Sequence, residues 1–414
     1  MSSRIQSLDP LSSACASQKG GSLTRRLLER LLPPLNSGRL HITLPSGEVI
    51  DHRGVAAGAD GTITLDRWRT LWRLISAGDL GFAQAYADAD WHTPDLSALL
   101  ECGMRNEGVL AEKANGLSWV HAFNRLRHRR RANTRRGSRR NIIAHYDLGN
   151  AFYAQWLDAS MNYSSALYGS GDETLEDAQL AKLNRVADLL DLQGGERILE
   201  IGCGWGALAE RLMSKHGASV TGLTLSAEQM HFARNRLAND PQGDADIRLQ
   251  DYRDVEGSFD RVVSIEMLEA VGEDYWPAYF NKVRHCLNEQ GSAVLQVITI
   301  DDSRFDAYRA RPDFIQCNIF PGGMLPTKNI VRVQAERAGL TLVEEEFFGN
   351  SYARTLREWR ARFTTAWPSI QALGFDERFA RLWEYYLAYC EVGFQLGAID
   401  VGLFKFSVRK PRPI

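Results

Sequence analysis

A short apolar strand followed at once by a glycine-rich loop constrains the fold of this chain more than any other feature. Residues 197–201 (RILEI) are typical of a buried strand, residues 202–206 (GCGWG) follow directly, and a helical pattern continues to about His216. This arrangement is typical of a parallel α/β sheet, in which ligands bind at the carboxyl ends of the strands. Glycines at that point permit a tight turn and a close approach of backbone N–H groups to a ligand.

The same alternation of strand and helix continues along the chain. Apolar residues at helical spacing precede the loop between Leu180 and Leu190. Further strands are predicted at 219–223, 247–250, 260–265, 293–300, 341–347 and 402–408, with helices at 226–237 and 276–287. These elements predict a Rossmann-like α/β fold with a mostly parallel seven-stranded sheet and helices on both faces. A long, mostly helical insert at 351–395 separates the last two strands, and we expect it to cover a site.

The length of 414 residues predicts two or three domains. We assign 22–124 to a smaller N-terminal lipid-associated domain, 125–140 to an arginine-rich linker, and 141–414 to the α/β domain. An amphipathic stretch at 23–32 opens the first unit and ends at Pro33. Within that unit, Trp68, Leu71, Trp72 and Ile75 recur at helical spacing and predict the core-facing side of a helix.

Composition excludes several classes of protein. A formal net charge of -2 disfavours a dedicated nucleic-acid-binding protein. The six cysteines are scattered without paired spacing, which favours reduced thiols in a cytosol over a disulfide frame or a metal site. Residues 1–21 lack the apolar run of a secretory signal, and no segment approaches the ~18 apolar residues of a spanning helix. We therefore expect a cytoplasmic protein that meets any membrane from the water side.

The residues around the loop indicate which ligand it holds. The pattern is GxGxG and not the GxGxxG of dinucleotide sites, which disfavours a pyrophosphate clamp. Glu200, directly before the loop, can take the cationic amino end of an amino-acid-like cofactor. Asp251 and Tyr252 end the third predicted strand and supply an acid and a ring where an adenine could lie. A plain strand-to-helix turn is the alternative interpretation of the loop alone.

Taken together, these motifs resemble the cyclopropane-fatty-acyl-phospholipid synthase family over nearly the whole chain. The resemblance is carried by residues 199–206 (LEIGCGWG), 223–229 (LTLSAEQ), 250–254 (QDYRD), 78–81 (GDLG) and 320–323 (FPGG). It implies a class I methyltransferase fold and S-adenosylmethionine as cofactor. The cofactor residues expected from the motifs and the resemblance are Tyr163, Ser164, Glu200, Gly202, Gly204, Gly206, Thr224, Leu225, Gln229, Asp251, Tyr252 and Arg253.

The family's reaction adds a methyl group to a carbon–carbon double bond, and a bound bicarbonate is thought to remove a proton from the resulting cation. The resemblance assigns the bicarbonate cradle and the nearby thiol to Ser165, Glu269, Gln296, the backbone of Ile298, Tyr352 and Cys390. Three positions depart from the family pattern, because Ser165 replaces cysteine, while Gln296 and Ala270 each replace histidine. Residues 266–270 (EMLEA) and 296–299 (QVIT) are similar to relatives that leave a methylene or methyl branch.

Simpler interpretations stay open for individual residues. A glutamate such as Glu269 after a strand is often a surface or capping acid, and Cys390 is compatible with a packed core thiol. The nine arginines of 125–140 are compatible with a solvated face, an RNA-binding arm, or attraction to anionic lipid. The run lacks interleaved aromatics, which disfavours the RNA alternative.

The expected function is methyl or methylene transfer from S-adenosylmethionine to an unsaturated phospholipid acyl chain, giving a cyclopropane or a methylene- or methyl-branched chain. Its expected partners are that phospholipid and an anionic membrane surface, with peripheral binding at the inner face of the membrane and no nucleic acid. A small-molecule N-methyltransferase and a catalytically idle lipid-binding protein are the alternatives. The oligomeric state is left open between a monomer and a homodimer.

Overall fold

The computed structural model describes residues 25–26, 28–29, 32–113, 148–169, 171–238 and 244–409. The arginine-rich segment predicted at 125–140 lies outside these residues, as does the N-terminal segment 1–21.

Within the described residues, the N-terminal unit contains a small mixed sheet and helices packed around it. Its elements are β1 (Ser37–Thr43), β2 (Val49–Arg53), β3 (Ala56–Leu65), α1 (Arg69–Ala87), β4 (Trp91–His92), α2 (Leu96–Arg105) and α3 (Glu107–Lys113). The spatial order of the strands is β2-β1-β3-β4, with β1 and β3 parallel and the other two pairs antiparallel. Gly78 interrupts α1 with φ 60° and ψ −139°, and a Cβ on Gly81 would lie 2.1 Å from the carbonyl oxygen of Arg73. Glycine at these positions therefore lets the two halves of α1 approach each other closely.

The exposed side of α1 corrects one prediction. Trp68, Trp72 and Ile75 are 44%, 65% and 59% exposed, so the predicted core-facing stripe instead faces outward over most of its length. Leu71, one residue away on the helix, packs against the core. The apolar spacing identified the helix correctly, but it could not tell which face has a packing partner.

The second unit is built on a sheet that has seven strands within the described residues. Its strands are β5 (Arg197–Ile201), β6 (Ser219–Thr224), β7 (Ala245–Leu249), β8 (Phe259–Ile265), β9 (Leu287–Ile300), β10 (Leu340–Phe347) and β11 (Ile399–Val408). The spatial order is β10-β11-β9-β8-β5-β6-β7, and only the pairs that include β11 are antiparallel. The predicted mostly parallel sheet is confirmed, although β9 begins at Leu287 instead of 293.

Helices cover both faces of this sheet. They are α4 (Asn150–Tyr153), α5 (Leu175–Leu190), α6 (Ala207–His216), α7 (Ala227–Leu237), α8 (Trp276–Cys286), α9 (Asp302–Ala310), α10 (Lys328–Arg337), α11 (Gly349–Ala372) and α12 (Glu377–Gln395). Successive residues of β5 enter different hydrophobic clusters: Ile198 joins the one with α5 and α6, and Leu199 joins the one with α8. The alternation of a strand thus places its side chains in two separate cores, as the predicted fold class requires.

The predicted helical insert consists of α11 and α12, which pack against each other. The N-terminal unit contacts α12 directly. The Tyr86 hydroxyl donates to Glu384 at 2.8 Å, and Arg381 donates to the backbone oxygen of Trp91 at 2.7 Å. Glu391, which is buried, accepts from Ser97 of α2 at 3.1 Å. The insert therefore joins the two units, while the predicted domain boundaries stay predictions.

Across the described ranges of the chain, none of the helices combines the length and the apolar character needed to cross a membrane.

Candidate active site

The glycine loop turns directly from β5 into α6. The backbone N–H groups of Gly202 and Cys203 both donate to the carbonyl oxygen of Leu223, at 2.9 Å each, which fastens the loop to β6. Gly202, Gly204 and Gly206 have φ values of 85°, 50° and 84°, the region that favours glycine. A Cβ on Gly202 would lie 2.4 Å from the Met267 side chain, whereas a Cβ on Gly204 would meet nothing within 4 Å. The loop therefore has no space for a side chain or ligand atom at Gly202, whereas the space next to Gly204 is empty.

Glu200, next to the last residue of β5, is a buried acid with an unpaired oxygen. Its side chain is 3% exposed, and its Oε2 has no hydrogen-bond partner among the described residues. Burial raises the pKa of Glu200 to about 8, and the positive charge of Lys182 opposes that rise. An unpaired buried carboxyl group is costly, so the position fits a ligand that brings a cationic amino group.

Lys182 of α5 connects Glu200 with the segment that contains Tyr163 and Ser164. This lysine is 1% exposed, and its Nζ donates to Ser164 Oγ at 2.7 Å. Burial lowers its pKa to about 8, and the carboxylates of Glu266, Asp158 and Glu200 oppose the decrease. The Tyr163 hydroxyl lies 2.9 Å from that of Tyr386 on α12. Sequence reasoning missed Lys182, because it is one polar residue within an otherwise ordinary helical pattern.

The ends of the next two strands carry the other predicted cofactor residues. Thr224 Oγ1 donates to Gln229 Oε1 at 2.8 Å, which orients both side chains just after β6, where Leu225 also lies. Arg253 donates to both carboxylate oxygens of Asp251, at 2.9 and 2.6 Å. Asp251 is thus engaged within the chain, so its carboxylate is less open to a ligand than that of Glu200.

Tyr252 lies between those two residues in the sequence and supplies the aromatic surface of this region. Its side chain is buried, and its hydroxyl has no hydrogen-bond partner within the described ranges. The guanidinium group of Arg253 lies 5.6 Å from the centre of the Tyr252 ring. The unpaired Glu200, the open position at Gly204 and this ring at neighbouring strand ends fit S-adenosylmethionine, which has an amino acid part and an adenine.

A cavity of about 1160 Å³ lies between the strand ends, the helical insert and the N-terminal unit. We call it the central cavity. Its wall is mainly apolar and aromatic, and it includes Leu71, Leu74, Leu99, Leu100, Tyr163, Tyr308, Ile315, Phe320, Leu356, Tyr385, Tyr386, Tyr389, Cys390 and Phe394. Both units of the molecule thus contribute to a single apolar space.

Two glutamates from the end of β8 line the central cavity. Glu266 accepts three hydrogen bonds: from the backbone N–H of Ser165 at 2.9 Å, from Gln296 Nε2 at 2.7 Å and from the Tyr352 hydroxyl at 2.7 Å. Its backbone has φ 51°, unusual for a residue with a side chain. Burial raises the pKa of Glu266, whereas the three donors oppose the increase. The 266–270 motif contains Glu266, but the sequence alone did not assign this residue to the site.

Glu269 has a different environment. Its Oε1 accepts from the backbone N–H of Ile298, while its Oε2 has no partner among the residues described. Burial, followed by the nearby charge of Glu266, raises the pKa of Glu269 to about 8. Two neighbouring buried carboxyl groups resist ionising together.

The donors predicted to cradle bicarbonate are therefore already engaged by carboxylates of the chain. Ser165, Gln296 and Tyr352 donate to Glu266, and Ile298 donates to Glu269. The Ser165 hydroxyl donates to the carbonyl oxygen of Ala166 at 2.8 Å. The residues present do not fit a bound bicarbonate, because its place among the donors is taken by Glu266.

The last predicted site residue, Cys390 of α12, lies on the wall of the central cavity. Burial raises the pKa of its thiol, so we expect the neutral form there. The structure thus brings Ser165, Gln296 and Tyr352 together around Glu266, and Ile298 to Glu269, with Cys390 elsewhere on the cavity wall.

Comparison with known proteins identifies the family. A sequence profile of the mycolic acid cyclopropane synthetase family matches residues 133–404. Tuberculostearic acid methyltransferase UfaA1 of Mycobacterium tuberculosis is 39% identical over 339 residues, covering 80% of this chain and 79% of the relative. The cyclopropane-fatty-acyl-phospholipid synthase of Escherichia coli K12 is 35% identical over 376 residues, covering 87% and 92%.

A solved structure gives the same result. The mycolic acid cyclopropane synthase CmaA1 complexed with SAH and CTAB is 31% identical, with a TM-score of 0.62, and it covers 65% of this chain and 98% of that one. The resemblance drawn from the motifs is confirmed: this chain belongs to the mycolic acid cyclopropane synthetase family of S-adenosylmethionine-dependent methyltransferases.

Proposed function

We propose that this protein transfers a methyl group from S-adenosylmethionine to the double bond of an unsaturated phospholipid acyl chain. The product is a cyclopropane or a methylene- or methyl-branched chain. The central cavity is the observation that carries the proposal. It is mainly apolar, it has room for a long hydrocarbon chain, and its lining includes two buried carboxyl groups together with Tyr163, one of the predicted cofactor residues.

Each part of the site has a role in this reaction. When bound, S-adenosylmethionine supplies an electrophilic methyl group on a cationic sulfur. Glu200 holds the amino group of its amino acid part, and Tyr163 and Ser164 hold that same end, with Ser164 fixed by Lys182. Thr224, Leu225 and Gln229 hold the ribose, and Tyr252 and Arg253 flank the adenine. The apolar wall excludes water, which is needed because a double bond is a weak nucleophile.

The names of two relatives support the acyl substrate. The Escherichia coli relative is named a cyclopropane-fatty-acyl-phospholipid synthase, and the UfaA1 relative is named a tuberculostearic acid methyltransferase. The central cavity suits either product, because the same alkene and the same methyl donor precede both outcomes.

Expression in a bacterium that lacks such enzymes tests the proposal. Mass spectrometry of the fatty acids should show new chains that are one carbon heavier than the host's unsaturated acids. A matched culture carrying Gly204→Val should not contain them, because the valine side chain would occupy the open space at Gly204. An unchanged fatty acid profile with folded, S-adenosylhomocysteine-binding protein would contradict the proposal and favour a small-molecule substrate or an idle protein.

We also propose that the protein docks on the inner face of the membrane through the exposed side of α1. Trp68, Trp72 and Ile75 are exposed on this helix, whereas Leu71 and Leu74 line the central cavity. Tryptophan is favoured at the boundary between water and lipid, where its ring is amphipathic. The exposed face and the cavity wall share one helix, so docking there would place the bilayer next to the acyl site. The arginines of 125–140 would add attraction to anionic lipid.

Vesicle sedimentation tests this docking surface. We expect Trp68→Ser combined with Trp72→Ser to reduce binding to phospholipid vesicles, while Val343→Ser, at a residue of β10 that is also exposed, does not. Replacing Arg129, Arg130, Arg131, Arg135 and Arg136 with glutamine should remove the part of binding that high salt also removes. Parental binding by the tryptophan variant would exclude the α1 face as the docking surface.

A further inference from the structure

Directly after β8, the chain has a carboxylate where the sequence resemblance predicts a bound bicarbonate. Glu266 enters the central cavity with three donors fixed on its two oxygens. These donors come from three different parts of the chain: the segment before α5, strand β9 and helix α11. An arrangement drawn from three elements fixes the carboxylate in both position and direction, as a catalytic group requires.

We propose that the Glu266 carboxylate is the base of this enzyme, and that it takes a proton from the methylated acyl cation without any added bicarbonate. This inference rests on the proposed function and goes beyond it, because it assigns the proton acceptor to a side chain. Glu266 touches the reacting atoms in this account and is therefore a catalytic residue.

The surroundings of the two glutamates assign the single negative charge to Glu266. Three groups donate to Glu266, and hydrogen bonds to a charged carboxylate stabilise that form. Glu269 has one donor and an oxygen with no partner in the described part of the chain, which suits the protonated acid. Burial and the charge on Glu266 both raise the pKa of Glu269, to about 8. Glu269 therefore holds its proton while Glu266 accepts one.

Methyl transfer and deprotonation balance in protons and electrons with only the alkene, the methyl donor and Glu266. The π pair of the double bond forms a carbon–carbon bond to the methyl carbon, and the carbon–sulfur bond breaks toward sulfur. The neighbouring chain carbon becomes a cation. Glu266 then takes a proton from the transferred carbon, and the released C–H pair closes a cyclopropane ring. If a hydride first moves from the methyl-bearing carbon to the cationic carbon, the same C–H pair instead forms the double bond of a methylene branch. Glu266 ends as a neutral acid and returns its proton to solvent after product release.

Two substitutions separate this role from a structural one. Glu266→Gln keeps the shape but removes the base, so turnover should fall on the order of 10²–10⁴-fold, with S-adenosylhomocysteine affinity within about twofold of the parent. Glu266→Gly removes the side chain and relieves the φ of 51°, which leaves the donors free. Added bicarbonate should restore turnover in this glycine variant and should have no effect on the parent. Glu384→Gln is the matched control, because Glu384 also accepts from a tyrosine hydroxyl, that of Tyr86, at 2.8 Å.

The assay measures the transfer of a labelled methyl group from S-adenosylmethionine to vesicles of unsaturated phospholipid, in buffer depleted of carbon dioxide. Thermal unfolding checks that each variant is folded. Parental activity that survives depletion, together with an inactive Glu266→Gln and a bicarbonate-dependent Glu266→Gly, supports the inference. Parental activity that disappears on depletion overturns it, and so does a Glu266→Gln variant with parental turnover. A folded Glu266→Gly variant that binds S-adenosylhomocysteine but ignores bicarbonate also counts against it. A parent that labels no lipid in any buffer contradicts the proposed function instead.

Discussion

The cofactor end and the acyl end of the site differ in how their buried carboxyl groups are satisfied. At the cofactor end, Glu200 has an oxygen with no partner in the described ranges, and the glycine loop that follows it has open space at Gly204. At the acyl end, Glu266 accepts three hydrogen bonds from the chain itself. We infer that the unpaired oxygen of Glu200 indicates where a ligand brings a charge, whereas the chain itself satisfies Glu266, with the protonated Glu269 beside it.

After the loss expected for Glu266→Gln, the largest expected effect comes from a second substitution that impairs only the acyl end of the site. Glu269→Ala should lower turnover roughly 10²-fold, the range seen when one polar group is removed from around a developing charge. S-adenosylhomocysteine affinity should stay at the parental value, because Glu269 contacts Ile298 and the cavity and lies outside the predicted cofactor residues. Kinetics on lipid vesicles and calorimetry measure the two quantities. Parental turnover would show that Glu269 is only a packed acid.

The next largest effect is expected from a substitution that impairs only the cofactor end of the site. Gly204→Val places a side chain in space that is open without a ligand, so S-adenosylhomocysteine affinity should fall about 10- to 100-fold. The φ of 50° at Gly204 also strains any side chain, so we expect a lower thermal stability in a variant that still folds. Gly202→Val is the contrasting variant, since its side chain would collide with Met267 and should destabilise the protein itself. Calorimetry and thermal unfolding distinguish the two results. Unchanged affinity in folded Gly204→Val would remove the loop from the cofactor site.

The smallest expected effect is a pH dependence of S-adenosylhomocysteine affinity, which tests the role of the carboxyl group at the cofactor end. Because the pKa of Glu200 is raised to about 8, its carboxyl group is mostly protonated at lower pH and must lose that proton to pair with a cationic amino group. S-adenosylhomocysteine affinity should therefore rise with pH, by up to about tenfold per unit below pH 8, with release of a proton. Calorimetry in buffers of different ionisation enthalpy measures both quantities. Glu200→Gln should flatten the profile, and a flat parental profile would contradict the role of Glu200.

Sequence reasoning was most successful where the signal is local. The strand at 197–201, its glycine loop and the alternating strands of the sheet follow from short-range patterns of apolar residues and glycine. The family motifs then supplied the predicted cofactor residues. The GxGxG loop could be identified because its conformation depends on glycine itself, at φ values that other residues rarely adopt.

The missed features depend on contacts between distant parts of the chain. Gln296 and Tyr352, two of the donors to Glu266, are 30 and 86 positions away in sequence, so the 266–270 motif alone could not reveal the network. Lys182 bonds Ser164 across 18 positions, and burial, which the sequence does not show, gives it importance. The stripe of Trp68, Trp72 and Ile75 was assigned to the core because periodicity identifies a helical face but not what lies opposite to it.

Methyl transfer with a deuterated donor tests the central claim most directly. The purified protein would be incubated with vesicles of unsaturated phospholipid and with S-adenosylmethionine that carries a trideuterated methyl group. Mass spectrometry would then measure the masses of the acyl chains. Because Glu266 removes a proton equivalent from the transferred carbon, the account predicts acyl chains that gain one carbon and keep two of the three deuterium atoms. Chains that keep all three would show that the proton leaves another carbon, and lipid without any label would contradict acyl-chain methylation itself.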